Sequence, residues 1–103
     1  MGATTFLVEG YWPDTGTEAF QAGAARLDER LARMRSAGVA IGTVAATLVP
    51  GDQAAYWLIS GPSVDVVANA CAQAGLRVER IVDAVEVRAG IPSDLNETGR
   101  DPR

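Results

Sequence analysis

Few side chains in this sequence have the chemistry for acid–base catalysis, and two glutamates are the main candidates. Glu9 and Glu86 fall in segments that read as strands, at positions whose side chains should share one sheet face. A carboxyl group removed from water has a raised pKa, and two close carboxyl groups share one proton. Because such groups serve as general acids and bases, Glu9 and Glu86 are the candidate catalytic pair.

The rest of the composition excludes most other kinds of site. The chain has no histidine and one cysteine, so it lacks a histidine-based triad, a histidine metal site, an internal disulfide and a multi-cysteine zinc site. Cys71 and Val64 fall on the apolar side of the second predicted helix. A thiol in that position behaves as a small hydrophobic group. No glycine-rich phosphate-binding motif is present. We therefore predict neither a metal site nor a cofactor.

Length and charge indicate one small globular domain. The chain has 103 residues, of which 48% are hydrophobic and 21% charged. Its net charge is −4, and all nine basic residues are arginines, so nucleic acid is not an expected partner. No segment reads as a signal peptide or a membrane span, and a single cysteine suits a reducing compartment. The expected location is cytoplasmic, without membrane attachment.

Hydrophobic periodicity predicts the elements that must position these side chains. Strands are expected over 4–12, 39–49, 54–60 and 78–88, and helices follow the first and third strands. Thr15 and Glu18 have capping-box spacing at the start of the first helix, and Ser63 is the expected N-cap of the second. Gly38 and Gly75 end the two helices. The pair Pro50-Gly51 predicts a type II turn between the second and third strands.

The order β-α-β-β-α-β, in two similar halves, predicts an α+β ferredoxin-like fold. The expected sheet is antiparallel, with strand order 4-1-3-2 and both helices on one face. We assign residues 1–88 to this single domain and 89–103 to a flexible C-terminal tail.

The sheet face without helices is predicted to be apolar enough to need a partner. Strand alternation places on it Leu7, Glu9 and Tyr11, then Thr43, Ala45 and Thr47, then Trp57 and Ile59, and finally Val82, Ala84 and Glu86. An exposed apolar sheet of this kind indicates a homodimer formed through the open face. A small-molecule pocket under the sheet would be lined by Leu7, Glu9, Tyr11, Thr43, Trp57, Ile59 and Glu86. In the alternative interpretation, Glu9 pairs with Arg80 or Arg88 and the aromatic side chains belong to the dimer core.

Several short motifs in the same order give the chain a family resemblance over about residues 4–88. They are Phe6-Leu7-Val8-Glu9 followed by Pro13, Ala37-Gly38-Val39, Val49-Pro50-Gly51-Asp52, Gly61-Pro62-Ser63, and Ala74-Gly75-Leu76 leading into Arg80-Ile81-Val82. With these motifs the chain resembles a family of small bacterial ferredoxin-fold proteins of unknown function, described in part as nickel-binding-protein-like. The resemblance implies a ferredoxin-like homodimer, and Glu9 matches a glutamate early in the first strand of the family.

Three functional hypotheses remain open from the sequence. The first is a non-catalytic homodimeric module that binds a small ligand or senses a metal, as the resemblance implies. Nickel-binding relatives use histidine with carboxylate ligands, whereas this chain offers only carboxylates such as Glu9, Asp83 and Glu86. The second is a cofactor-independent enzyme, of monooxygenase or isomerase type, with Glu9 as acid or base. The third is an assembly module whose sheet face only joins subunits.

Overall fold

The computed structural model describes residues 4–13 and 16–85, and the predicted order of elements is confirmed over them. Glu86 and the proposed tail, 89–103, lie outside the described residues. The strands and helices are β1 (Thr4–Tyr11), α1 (Thr17–Ser36), β2 (Gly42–Val49), β3 (Ala54–Gly61), α2 (Val64–Gln73) and β4 (Val78–Ala84), with a short 3-10 helix at Pro50–Asp52.

The four strands form one antiparallel sheet in the order β2-β3-β1-β4. This is the predicted order, read from the other edge, and it makes the protein an α+β fold. β1 and β3 are the inner strands, so each is hydrogen-bonded on both sides, whereas β2 and β4 are the edges. Side chains on β1 are therefore flanked by neighbours from both β3 and β4.

One face of the sheet and the two helices enclose the hydrophobic core. Alternate residues of β1 and β3 point into it, with Phe6 paired to Ile59 and Val8 to Trp57. The core is completed by side chains of both helices and the segments near them: Phe20, Leu27, Leu31, Ile41, Val67, Ala70, Cys71, Ala74 and Leu76. The apolar stripes of both helices therefore cover the same side of the sheet.

The helix ends follow their sequence signals at three of four places. The Ser63 hydroxyl accepts a hydrogen bond from the Val66 backbone N–H at 3.3 Å, as expected of an N-cap. Gly38 and Gly75 have φ angles of 96° and 82°, the left-handed conformation that ends a helix. The capping box at Thr15 is not confirmed, because α1 begins at Thr17 after Gly16 and Thr15 lies outside the described residues.

Two local predictions about packing and turns were wrong. Val64, predicted on the apolar side of α2, is 43% exposed because it is the first residue of the helix and lies beyond the core. The β2–β3 connection is not a type II turn, because its positive φ falls at Gln53 (50°) rather than Gly51. The Gln53 N–H donates to the Pro50 carbonyl at 3.0 Å, which closes a 3-10 turn. Neither helix in residues 16–85 has the length and apolarity needed to cross a membrane.

Candidate functional site

The face of the sheet opposite the helices is the candidate site, and we call it the open sheet face. Strand pairing defines its members, because residues paired across neighbouring strands point to the same side. They are Thr5, Leu7, Glu9 and Tyr11 of β1, Ala45 and Thr47 of β2, Tyr56, Leu58 and Ser60 of β3, and Arg80, Val82 and Ala84 of β4.

Trp57 and Ile59 were predicted on this face and lie on the other one. They are 1% and 0% exposed, and they pair with Val8 and Phe6 in the core. The predicted alternation of inward and outward residues in β3 was displaced by one residue. Such a displacement moves every side chain of the strand to the opposite face. Gly10 explains the placement, because a Cβ at this position would lie 3.2 Å from Cζ3 of Trp57. The missing side chain leaves room for the indole ring.

Thr43 was also assigned to the wrong face. It pairs with Ile59, whose side chain is in the core, and the β2–β3 register shifts between Thr43 and Ala45. Such an irregularity inserts an extra residue and reverses the alternation on one side of it. Beyond the shift, Ala45 and Thr47 are on the open sheet face as predicted, opposite Leu58 and Tyr56.

Pairing arranges the open sheet face in rows that run across the strands. One row is apolar throughout and consists of Ala45, Leu58, Leu7 and Val82. The next row carries hydrogen-bonding groups and consists of Thr47, Tyr56, Glu9 and Arg80. The site therefore places an aliphatic strip directly beside a hydroxyl, a phenol, a carboxylate and a guanidinium group.

The Glu9 carboxylate is held by Arg80. The Arg80 Nε donates to Glu9 Oε1 at 3.2 Å, and the side chains are 29% exposed for Glu9 and 62% exposed for Arg80. This is the pairing that the alternative interpretation expected. The pair turns the carboxylate toward β4 and places a positive charge beside it. The hypothesis of a Glu9–Glu86 acid–base pair stays a prediction, since Glu86 lies outside the described residues.

Tyr11 lies at the end of β1, where the site meets the loop before β4. The guanidinium carbon of Arg77 lies 5.6 Å from the centre of its ring, within cation–π distance. The Tyr11 backbone N–H also donates to the Arg77 carbonyl at 3.0 Å. These contacts hold the phenol at one end of the open sheet face.

Sequence reasoning left Thr5 and Arg80 out of the site, and it missed three side chains of β3, Tyr56, Leu58 and Ser60. The polarity of the residues from Tyr56 to Ser60 could have indicated the correct face. Placing Tyr56 and Ser60 on the open face keeps a phenol and a hydroxyl near water and leaves Trp57 for the core. The opposite phase, which we had predicted, would bury both of these polar groups against the helices.

Cys71 is remote from the site and has no nucleophilic character. Its side chain is fully buried in the core, and burial raises its pKa from 9.0 to about 11. The thiol is therefore protonated at neutral pH, which agrees with its interpretation as a small hydrophobic group.

Comparison with known proteins supports the fold. A crystal structure of the protein SCO4226 from Streptomyces coelicolor A3(2) superposes with a TM-score of 0.60 and 21% sequence identity, covering 82% of this chain and 99% of that chain. No family model matches the sequence, and no curated protein matches it either. At this identity the likeness concerns the fold alone.

Proposed function

We propose that this chain is a cytoplasmic, ferredoxin-like module that dimerises through the open sheet face and binds a small ligand between the two sheets without catalysis. The apolar row across all four strands is the observation that carries the proposal. Antiparallel sheets that face water on one side alternate between apolar inward and polar outward residues. Leu7, Leu58 and Val82 break that alternation in the middle of the outward face.

A second copy of the chain suits this face because the face is complementary to itself. A twofold axis brings the same patch from both partners together, so an apolar strip meets an apolar strip. Glu9 and Arg80 supply one charge of each sign in the neighbouring row. Under the same axis each charge can face the opposite charge of the partner, whereas a face with a single sign would repel its copy.

The polar row gives the space between two sheets the means to bind a ligand. Tyr11 and Tyr56 contribute ring surface and phenol groups, while Glu9 and Arg80 contribute charged hydrogen-bonding groups. Binding sites for small molecules typically combine apolar walls with a few such polar groups. The ligand class that this lining suits is a flat apolar molecule with hydrogen-bonding substituents.

The metal-sensing form of the hypothesis has no support in the geometry. Within residues 4–13 and 16–85, no group of three or more His, Cys, Asp or Glu side chains is placed to hold an ion. Asp83 pairs with Phe6 and so points away from the face that carries Glu9. We therefore propose a small organic ligand rather than nickel.

The dimer is tested by sedimentation velocity on matched valine substitutions. Val82→Glu places a charge in the apolar row, whereas Val64→Glu places the same charge at an exposed position of α2. We expect the wild type and Val64→Glu to sediment as dimers and Val82→Glu to sediment as a folded monomer. Monomeric wild-type protein at micromolar concentration, or a dimeric Val82→Glu variant, would contradict the proposal.

Ligand binding is tested separately by screening small aromatic compounds against the dimer with nuclear magnetic resonance. Shifts confined to the backbone amides of β1 and β3 and lost in Tyr56→Ala would support a pocket between the sheets. A dimer whose open sheet face shows no response to any compound would leave an assembly module as its function. Turnover of a bound compound that disappears in Glu9→Gln would instead establish the enzyme hypothesis.

A further inference from the structure

A second concave surface lies between α1 and α2, on the side of the molecule away from the open sheet face. It has a volume of about 510 Å³ and is lined by side chains of both helices and by the segments that follow α1 and precede α2. Its walls are mainly apolar, with Met34, Val39 and Val66, and its polar groups are Arg30, Asn69 and Gln73. We call it the interhelical groove.

Arg30 is the unusual member of this groove. Its Nε atom is buried and has no hydrogen-bond partner in the described part of the chain. A buried N–H without an acceptor has lost its hydration with nothing gained in exchange. Because this N–H has no hydrogen bond to give up, turning the Arg30 side chain toward an acceptor in the groove gains a hydrogen bond and breaks none.

The neighbouring arginines of α1 are engaged elsewhere. Arg26 donates to the Ala74 carbonyl at 3.2 Å, and Arg33 pairs with Glu29 at 3.2 Å. Both arginines line a smaller depression of about 220 Å³ that Arg30 and Gln73 share with the groove. Three arginines and one glutamate thus make this end of the groove positive, although the chain as a whole has a net charge of −4.

We propose that the interhelical groove binds a small amphipathic carboxylate, with its carboxylate on Arg30 and its aliphatic chain along Met34, Val39 and Val66. A carboxylate presents two acceptors to the paired N–H donors of a guanidinium, which gives a bidentate, charge-assisted match for arginine. Asn69 and Gln73 line the groove beside it and have amide N–H groups to complete the coordination. The proposal is independent of the dimer, because none of these residues is on the open sheet face.

The test uses octanoate as the probe and 1-octanol as its uncharged counterpart, measured by chemical-shift titration of the full-length protein. Octanoate should saturate shifts of amides in α1 and α2 and bind at least about tenfold more tightly than octanol, because a hydrogen bond to a charged group is lost in the alcohol. Arg30→Gln should weaken octanoate binding by about tenfold or more and leave octanol binding unchanged. Arg80→Gln is the matched control, because it removes the same charge from the open sheet face, and it should change octanoate affinity by less than about threefold.

A second variant keeps the test decisive if Arg30→Gln lowers stability. Asn69→Asp changes an exposed side chain of similar size and adds a negative charge to the groove, so it should weaken octanoate binding and spare octanol binding. Equal affinities for octanoate and octanol, shifts confined to the sheet, or full octanoate affinity in Asn69→Asp would each overturn the proposal.

Discussion

The two faces of the sheet differ in what covers them, because one is packed against the helices and the other is not. The helix-covered face is packed with side chains of this chain, including Trp57, Leu27 and Leu31, each 1% exposed or less. The open sheet face has an aliphatic row of its own, yet none of the described elements lies over it. The first face carries the packing that stabilises the single chain, and the second is the face through which we propose that two copies associate.

The largest expected difference between the two faces is in the stability lost when Trp57 or its neighbour Tyr56 is replaced by alanine. Trp57→Ala removes a buried indole that packs against Phe20 and Trp12, with ring centres 5.7 and 6.2 Å away. It should lower the free energy of unfolding by about 3–5 kcal/mol, since a large cavity is left. Tyr56→Ala, on the open sheet face, should cost about 1 kcal/mol. Urea denaturation of both changes in the Val82→Glu background measures them without a contribution from dimerisation. Similar costs would contradict the assignment of the two faces.

A smaller loss of stability is expected when a methyl group is added at Gly23, where α1 packs closely against Trp12. A Cβ at Gly23 of α1 would lie 2.6 Å from Cη2 of Trp12, whose ring is held by Phe20 and Trp57. Gly23→Ala should lower stability by about 1–2 kcal/mol, because overpacking outweighs the gain in helix propensity. Gly51→Ala is the control, since a Cβ there meets nothing within 4 Å, and it should change stability by less than about 0.5 kcal/mol. A stabilised Gly23→Ala variant would show that the contact relaxes freely.

Alkaline pH should act on the covered face through Cys71. Its pKa is raised by burial to about 11, so the unfolded chain releases this proton at lower pH than the folded chain does. Its contribution to stability is complete below pH 9 and is lost as the pH rises toward 11. Between about pH 8 and about pH 10 the wild type should lose about 1 kcal/mol more stability than Cys71→Ala, as measured by urea denaturation. Parallel pH profiles would contradict the burial of the thiol.

The smallest contribution to stability is expected from the ion pair between Glu9 and Arg80 on the open sheet face. A double-mutant cycle of Glu9→Gln and Arg80→Gln should give a coupling energy below about 1 kcal/mol in the monomeric Val82→Glu background, since the pair is partly exposed. The same cycle in the wild-type dimer should give a larger coupling, because a second sheet removes water from both groups. Equal coupling in the two backgrounds would show that the pair stays in water in the dimer.

The fold was more predictable from the sequence than the site was. The order of elements and three of the four helix ends follow local signals, such as the N-cap at Ser63 and the glycines at the helix ends, and the strand order follows from the order β-α-β-β-α-β. Which face the side chains of β2 occupy depends on a register shift after Thr43, and which face those of β3 occupy depends on the space left by Gly10 for Trp57. Both are contacts between strands that are distant in sequence, so a strand taken alone does not reveal them.

Contacts between strands also explain which site residues were predicted on the right face and which were not. Leu7, Glu9 and Tyr11 are on β1, where the alternation is regular against β3, and all three lie on the predicted face. The interhelical groove was not predicted, because the helical period of α1 identifies its apolar stripe but not whether the Arg30 guanidinium meets an acceptor. The packing of α2 against α1 shows that the buried Arg30 Nε has no hydrogen-bond partner among residues 4–13 and 16–85.

Whether the open sheet face joins two copies of the chain is decided by the sedimentation mass of the wild type, Val82→Glu and Val64→Glu, all measured at the same micromolar concentration. We expect twice the mass of a single chain for the wild type and Val64→Glu, and the mass of a single folded chain for Val82→Glu. A wild-type protein that sediments as a single chain, or three proteins with the same mass, would contradict this expectation.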